Sequence, residues 1–210
     1  MGDLIVGRAA LLAIDLQKGG YLPATAAGIG HMPGYRDRVA RTVELIRTVG
    51  AAGMPVVLTQ EAHRRDLVDI GRELDGSEGV HCLEGDTGTD LVDELQALLS
   101  GAGRPDGAGP VYSVVKRRYS CFFGTDLEIL LRGLGVRTLL LAGCLTDVCV
   151  HYTFADAHQH DYVARVVEDC VGGSSLAAHD AALAAMEYLQ HGARCRSADV
   201  VAAVHSPVAV

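Results

Sequence analysis

The sequence lacks the features that would connect it to nucleic acids or to membranes. It has no basic surplus, because 26 acidic side chains outnumber 18 basic ones and the formal net charge is −8, so it is poorly suited to bind phosphates. It has no apolar run of the roughly 18 residues that cross a bilayer. The segment 1–8 carries Asp3 and lacks the cationic start of a secretory signal. We therefore expect a cytoplasmic protein with no nucleic-acid partner and no membrane partner.

Cysteine motifs and low-complexity segments are absent as well. The chain has 6 cysteines but no Cys-x-x-Cys pair, so we expect reduced thiols and no structural zinc site of the thiolate type. Only 6 prolines accompany 25 glycines, and no biased run is present, which argues against a fibrous or disordered chain. The apolar share of 49% is sufficient for one sizeable core. We predict a single domain over residues 1–210.

Short, continuous apolar runs alternate with helical patterns along the chain. The runs predict strands buried on both faces, at Ala9–Ile14, Pro55–Thr59, Val111–Val115, Thr138–Ala142 and Tyr162–Val167. Apolar spacings of three and four predict helices, at Arg36–Val49, Asp90–Leu99, Asp126–Leu134, Asp147–His160 and Leu176–His191. A last short strand is expected at Asp199–Val204. The alternation predicts an α/β fold of three layers, α/β/α and Rossmann-like, around a mostly parallel sheet of about six strands.

Two glycine-rich segments interrupt this alternation, Gln17–Gly34 and Ala62–Gly88. Each follows the carboxyl end of a predicted strand, which is the edge where open parallel sheets bind ligands. We interpret both segments as pocket walls, and plain surface loops are the alternative.

Three reactive side chains stand at or just after strand ends: Asp15, Lys116 and Cys149. The carboxyl ends of parallel strands share one edge, so we expect the three to meet there. Thr146 is suited to cap the next helix and would place Cys149 in its first turn. The helix dipole and the lysine are then expected to lower the pKa of the thiol.

A thiolate, a carboxylate and a cation together suit acyl transfer through a thioester, with Asp15 as the base. Backbone N–H groups of the same turn would face the developing oxyanion. Each residue also has a structural explanation when taken singly. A strand-end aspartate anchors loops, a strand-end lysine reaches water, and a buried cysteine is usually inert.

Three segments carry a resemblance to a known family: Leu12–Gln17, Lys116–Thr125 and Leu141–Val150. In order and spacing they resemble the isochorismatase-like cysteine hydrolases, which include nicotinamidases and the N-carbamoylsarcosine, ureidoacrylate and biuret amidohydrolases. The resemblance implies that Asp15, Lys116 and Cys149 form the catalytic triad. It also implies a cis peptide bond between Cys144 and Leu145, and an oxyanion hole made by the N–H groups of Leu145 and Cys149.

The resemblance implies an amidohydrolase that cleaves an amide, carbamoyl or ureido C–N bond of a small molecule through a thioester. Some true isochorismatases, which cleave a vinyl ether, lack the cysteine that this chain keeps as Cys149. Vinyl ether hydrolysis stays an alternative, and so does a catalytically silent relative that binds a metabolite or a partner protein. Family members usually form homo-oligomers, so a dimer or tetramer is expected.

The thioester chemistry itself requires no cofactor, but a divalent metal is a second hypothesis. Glu61, His63 and His81 occupy places comparable to the metal ligands of nicotinamidases, and their chemistry suits zinc, iron or manganese. The chain departs from the family in having glutamate where aspartate is usual. The alternative is that Glu61 and His63 shape a loop and that His81 makes a hydrogen bond within it.

Substrate contacts are expected after Asp15 and around 119–123, where the resemblance places the pocket. The candidate substrate-binding residues are Gln17, Tyr21, Tyr119, Phe122, Phe123 and His151. Arg117 and Arg118 are candidates to bind a substrate carboxylate, with solvation or a subunit contact as the alternative.

Overall fold

The centre of the protein is a sheet of six parallel strands in the order β3-β2-β1-β4-β5-β6. The computed structural model describes residues 3–102 and 106–205. The strands are β1 (Arg8–Ile14), β2 (Val56–Glu61), β3 (Val111–Lys116), β4 (Val136–Cys144), β5 (Val163–Gly172) and β6 (Arg194–Cys195).

Helices cover both faces of the sheet. They are α1 (Ala24–Ala27), α2 (Tyr35–Ala51), α3 (Asp93–Leu99), α4 (Leu127–Gly133), α5 (His151–Gln159), α6 (Leu176–Leu189) and α7 (Ser197–His205). Side chains of α2, α3 and α7 form the core on one face, and those of α4, α5 and α6 form the core on the other. The predicted three-layer α/β/α architecture is therefore confirmed. None of the helices in the described ranges is long and apolar enough to cross a membrane.

The packing of β1 explains why its sequence is a continuous apolar run. Ala10, Leu12 and Ile14 pack into one core, whereas Leu11 and Ala13 pack into the other. All five side chains are fully buried. A strand with a helical layer on each face has no position where a polar residue would meet water.

The predicted strand at Asp199–Val204 is wrong, because this segment belongs to α7 and the last strand precedes it. The Asp169 carboxylate accepts hydrogen bonds from the Ser197 N–H (2.8 Å) and hydroxyl (2.7 Å), which fixes the start of the helix. Val200 is buried against the core beneath α2. The valines that pack on this core, Val200, Val201 and Val204, follow a helical spacing.

The order in which successive strands join the sheet reverses at β1, and such a reversal opens a crevice. Strands β2 and β3 lie on one side of β1, and β4 returns on its other side. In open parallel sheets ligands bind at such a switch point, outside the carboxyl ends of the strands. Both glycine-rich segments lie on this edge, since each follows the carboxyl end of its strand.

Candidate active site

The three side chains predicted to meet at the sheet edge do so. Asp15 follows β1, Lys116 ends β3, and Cys149 lies in a π-helical turn, Thr146–Val150, that follows β4. The Lys116 Nζ is 2.7 Å from Asp15 Oδ2 and 3.5 Å from Cys149 Sγ. One ammonium therefore contacts both the carboxylate and the thiol.

Strand pairing brings a fourth group into this cluster. Glu61 and Lys116 are paired across β2 and β3, and the two side chains form a salt bridge. The Cys149 thiol donates a hydrogen bond of 3.5 Å to Glu61 Oε2. Sequence reasoning placed Glu61 only among candidate metal ligands, so this contact with the nucleophile was missed. The register of two neighbouring strands produces it.

Burial and pairing set the charges in the cluster. Burial raises the pKa of Asp15, and Lys116 opposes the rise. Burial disfavours the Lys116 ammonium, but Asp15, Cys149 and Glu61 outweigh it and hold the pKa of Lys116 well above its usual value. The pKa of Glu61 lies well below its ordinary value, because Lys116 and two histidines outweigh its burial. An ammonium bridging two carboxyl groups is the resting arrangement.

The expected lowering of the Cys149 pKa is wrong. Burial raises the pKa of this thiol well above its usual value; Lys116 lowers it, whereas Glu61 and Asp15 raise it further. The cause is that the helical turn lies inside the protein, where removal of water outweighs the attraction of one cation. The thiol is protonated at rest and needs a base when it reacts.

The turn that carries Cys149 is held by the backbone. Gly143 has a φ of +117°, and a Cβ atom there would overlap the Ile14 carbonyl. The peptide bond from Cys144 to Leu145 is cis, as the family resemblance implied. The Leu145 carbonyl accepts hydrogen bonds from the N–H groups of Val148 and Val150, both at 3.1 Å. This turn positions the N–H groups predicted to form the oxyanion hole.

Thr146 does not cap this turn as expected. Its hydroxyl is hydrogen-bonded to His179 Nδ1 of α6 at 2.9 Å, and both side chains are buried. The turn is thus tied to a helix distant in sequence, a contact that the local pattern does not encode.

An open cleft of about 730 Å³ lies beside the cluster. Its lining includes Asp15, Cys149 and Leu145, and from the predicted substrate-binding residues it includes Gln17 and Tyr119. Gln17 is committed to the protein itself, since its amide donates to the carbonyls of Glu61 (2.9 Å) and Thr89 (2.7 Å).

Four other predicted substrate-binding residues lie outside the lining of this cleft. Tyr21 packs edge-on against Tyr35, with ring centroids 5.2 Å apart. Phe122 is buried in the core, Phe123 is exposed, and the His151 ring contacts Tyr152. Their role as substrate contacts stays a prediction that the lining does not support.

Several polar residues of the lining were not anticipated from the sequence: His31, Tyr35, Arg38 and Glu78. The Tyr119 hydroxyl donates a hydrogen bond of 2.8 Å to Glu78, and burial raises the pKa of Glu78. No motif singled out these residues, because they belong to loops and to a helix start whose placement depends on packing.

The predicted metal ligands form a buried cluster next to the catalytic cluster. Glu61, His63 and His81 are joined by Glu73, and one ligand atom of each lies within 4.8 Å of the others. Glu61 Oε1 is 3.3 Å from His63 Nε2 and 3.0 Å from His81 Nε2. Glu73 Oε2 is 3.3 Å and 3.7 Å from the same two nitrogens.

These distances fit a tetrahedral metal ion. Ligands about 2.0–2.1 Å from zinc lie roughly 3.3–3.4 Å from one another. Both carboxylate oxygens of Glu73 are buried without a hydrogen-bond partner among the described residues. The outward nitrogens of the imidazoles face acceptors, His63 Nδ1 at 3.6 Å from Asp69 and His81 Nδ1 at 2.7 Å from the Gly79 carbonyl. Such outer partners orient the Nε2 atoms toward a metal.

The acidic groups also change the protonation of the cluster. Burial alone would lower the pKa of His63, but Glu61 and Glu73 raise it to about 9. Burial opposes protonation of His81 as well, and Glu61 helps to raise its pKa. The cluster therefore favours positive charge at its centre.

Comparisons with known proteins agree with this geometry. The family model of the isochorismatase domain matches residues 9–200. A ureidoacrylate amidohydrolase of Variovorax paradoxus is 30% identical over 195 residues, covering 80% of this chain and 71% of that protein.

Solved structures share the fold. A nicotinamidase of Bacillus subtilis gives a TM-score of 0.75 at 27% identity, covering 90% of this chain and 99% of that one. The pyrazinamidase of Pyrococcus horikoshii in complex with zinc gives 0.70 at 26% identity, with coverage of 90% and 99%. Since the family model spans most of the sequence and the relative is 30% identical across 80% of it, the chain belongs to the isochorismatase family.

Proposed function

We propose that this protein is a cysteine-dependent amidohydrolase that cleaves an amide, carbamoyl or ureido C–N bond of a small molecule. The observation that carries the proposal is the Cys149 thiol on the cleft wall, 3.5 Å from a buried ammonium that is itself paired with Asp15. Two of its relatives, the ureidoacrylate amidohydrolase and the nicotinamidase, are named for hydrolysis of such bonds.

In the first half-reaction Cys149 Sγ attacks the substrate carbonyl carbon and its proton passes to Asp15, whose carboxylate lies within 4.8 Å of the sulfur. A C–S bond forms, and the N–H groups of Leu145 and Cys149 stabilise the oxyanion. Asp15 then gives the proton to the substrate nitrogen, the C–N bond breaks, and ammonia or an amine leaves. Lys116 stabilises the negative charge on sulfur during the transfer.

In the second half-reaction water attacks the thioester carbonyl carbon while Asp15 accepts a proton from the water. The C–S bond breaks, the carboxylic or carbamic acid leaves, and the proton returns to the Cys149 sulfur. Asp15 thus acts as base and acid in turn, and the raised pKa of Asp15 suits both roles.

We further propose that Glu61, His63, Glu73 and His81 hold a divalent metal ion, with zinc favoured by the tetrahedral spacing of the four ligand atoms. A bound ion would supply Lewis-acid polarisation of a polar substrate atom. His81 and Glu61 belong both to this cluster and to the cleft lining, so a bound ion would lie next to the substrate.

The test is ammonia release from nicotinamide, biuret, N-carbamoyl amino acids, ureidoacrylate and maleamate, with wild-type protein and Cys149→Ala in parallel. We expect turnover of at least one compound by the wild type and none by the variant. Cys195→Ala, a buried cysteine at the far edge of the sheet, is the matched control and should retain turnover. Equal ammonia release by Cys149→Ala would contradict the thioester, because the C–N bond would then be hydrolysed without the thiol. A folded wild type that turns over nothing in the panel would favour vinyl ether chemistry or a binding role.

We also propose a cytoplasmic homo-oligomer, either a dimer or a tetramer. All six cysteines are free thiols, which suits a reducing compartment. Helix α6 exposes Leu176 and Tyr188, the latter 87% exposed, as a subunit contact would require. Light scattering after size-exclusion chromatography tests the assembly, and a monomer at micromolar concentration would contradict it.

A further inference from the structure

We propose that the substrate carries a carboxylate and that Arg38 binds it. The inference rests on the proposed function, because it names the class of substrate for that reaction: an amide, carbamoyl or ureido compound that is also a carboxylic acid. Arg38 was singled out by no sequence motif, and it lines the same cleft as Cys149.

The fold places Arg38 beside the turn that carries the nucleophile. Arg38 lies in the first turn of α2, at the carboxyl edge of the sheet. Its guanidinium packs against Gly172, where a Cβ atom would overlap the guanidinium. Gly172 is paired with Cys144, the residue that precedes Leu145. An anion at Arg38 would therefore lie next to the predicted oxyanion hole.

The charge of Arg38 has no carboxylate partner among the described residues. Its side chain donates to the Pro33 carbonyl (2.7 Å) and the Met32 carbonyl (2.9 Å), which are both neutral. Burial raises the pKa of Cys144 to about 12 and raises the pKa of Tyr35 as well, so these two neighbours are neutral at pH 7. Two charged neighbours on the same helix, Asp37 and Arg41, act on Arg38 with opposite sign, and neither forms an ion pair with it among the described residues.

Arg38 retains the hydrogen-bonding capacity that a carboxylate needs. A guanidinium has five N–H donors, and the two hydrogen bonds to carbonyls leave three. Burial lowers the pKa of Arg38 without removing its charge. A half-buried guanidinium with free donors and no carboxylate bonded to it is suited to bind a planar anion.

The two arginines considered from the sequence for this role, Arg117 and Arg118, lie away from the cleft. Arg117 is 2.6 Å from Glu84, and Arg118 donates to the Asp69 carbonyl. Neither is part of the cleft lining. Glu78 lies in the lining beside Tyr119 and would repel an anion there. A substrate carboxylate thus favours the Arg38 side of the cleft, and the scissile carbonyl faces Cys149.

The test compares acids with their neutral carboxamides: maleamate with maleamide, and N-carbamoylglycine and N-carbamoyl-β-alanine with their amides. We expect wild type to prefer the acids, and Arg38→Gln to lower kcat/KM for acids by about 10- to 100-fold while changing the amides less than about threefold. Arg47→Gln, an exposed position on the same helix, makes the same charge change and should alter neither series.

A binding measurement separates this inference from the proposed reaction. In a Cys149→Ala background, calorimetry with maleamate and maleamide should show tighter binding of the acid, and Arg38→Gln should abolish the difference. Absence of that preference overturns the inference, whether or not wild type turns over any compound. An equal loss for acids and amides in Arg38→Gln also overturns it, because Arg38 would then only hold the 32–33 loop.

Discussion

The two sides of the cleft balance charge in opposite ways. On the nucleophile side, Lys116 contacts both Asp15 and Glu61, and the adjoining histidines face Glu61 and Glu73. At Arg38, which borders the same cleft, the guanidinium bonds neutral carbonyls and no carboxylate within the described ranges.

This difference in charge pairing distinguishes catalytic groups, whose charges are balanced within the protein, from a group whose charge is balanced by a ligand. A buried cation is stable when carboxylates compensate it, and removal of one partner leaves a costly charge. The charges on the nucleophile side are therefore paired before a substrate arrives, and the metal ion proposed for the adjoining cluster would be the one group added there. The charge of Arg38 is paired only when a substrate carboxylate binds.

The largest expected effect follows from removing the shared cation on the nucleophile side. Lys116→Met leaves two buried carboxyl groups facing each other, so we expect the free energy of unfolding to fall by about 3–5 kcal/mol and turnover to disappear. Urea denaturation measures the loss. Lys18→Met removes an exposed salt bridge to Asp93 of 2.8 Å, and it should change stability little. Similar losses in the free energy of unfolding for both variants would contradict the distinction between the buried and the exposed pair.

The next effect concerns the base. Asp15→Asn keeps the shape of the side chain but cannot accept the thiol proton, so kcat should fall by about 10²- to 10⁴-fold. Mass spectrometry of protein quenched during turnover should show no acyl adduct on Cys149. Asp37→Asn, exposed on α2, is the control. An Asp15→Asn enzyme that keeps near-normal kcat would assign the base to Glu61 instead.

A smaller effect is expected at the metal cluster. Glu73→Gln removes a charged ligand, and the affinity for zinc should fall by at least about 10- to 100-fold, the loss caused by removing only an outer partner of a ligand. Competition with a chromophoric chelator measures the affinity directly, without reference to activity. The exposed Glu94→Gln on α3 should bind zinc as wild type does. If wild type itself binds no zinc, the four residues form a hydrogen-bonded cluster only.

The smallest effect is expected at Asp169, a carboxylate remote from the cleft. Burial would raise the pKa of Asp169, but hydrogen bonds from Ser197 outweigh it and lower the pKa below its ordinary value. Asp169 therefore stabilises the fold above a pH of about 3.9, and this stabilisation is lost as the pH falls through the lower folded value. Asp169→Asn should cost about 1 kcal/mol at pH 7.

Denaturation of Asp169→Asn and wild type between pH 7 and pH 3 should show the difference shrinking toward acid. Asp180→Asn, exposed on α6, supplies the reference. A difference that grows toward acid would mean that the pKa of Asp169 is raised in the folded protein.

Much of the fold was predictable because its signals are local. Continuous apolar runs such as that of β1 predict strands buried on both faces, and the helical spacings between them predict the covering layers. The end of the chain was not predictable in this way. A run of valine and alanine suits a strand or a helix, and the Asp169 carboxylate, distant in sequence, starts a helix there.

The sequence alone determined that Asp15, Lys116 and Cys149 meet, since parallel strands bring their carboxyl ends to one edge. Tertiary structure decided the rest of the site. Strand register sets Glu61 against Lys116 and Cys149, and loop packing brings Glu73 to the histidines and Arg38 to the cleft. Burial also reversed the expected pKa shift of Cys149. The physical reason is that long-range packing fixes how much water and which partners a side chain meets, and a local pattern carries neither.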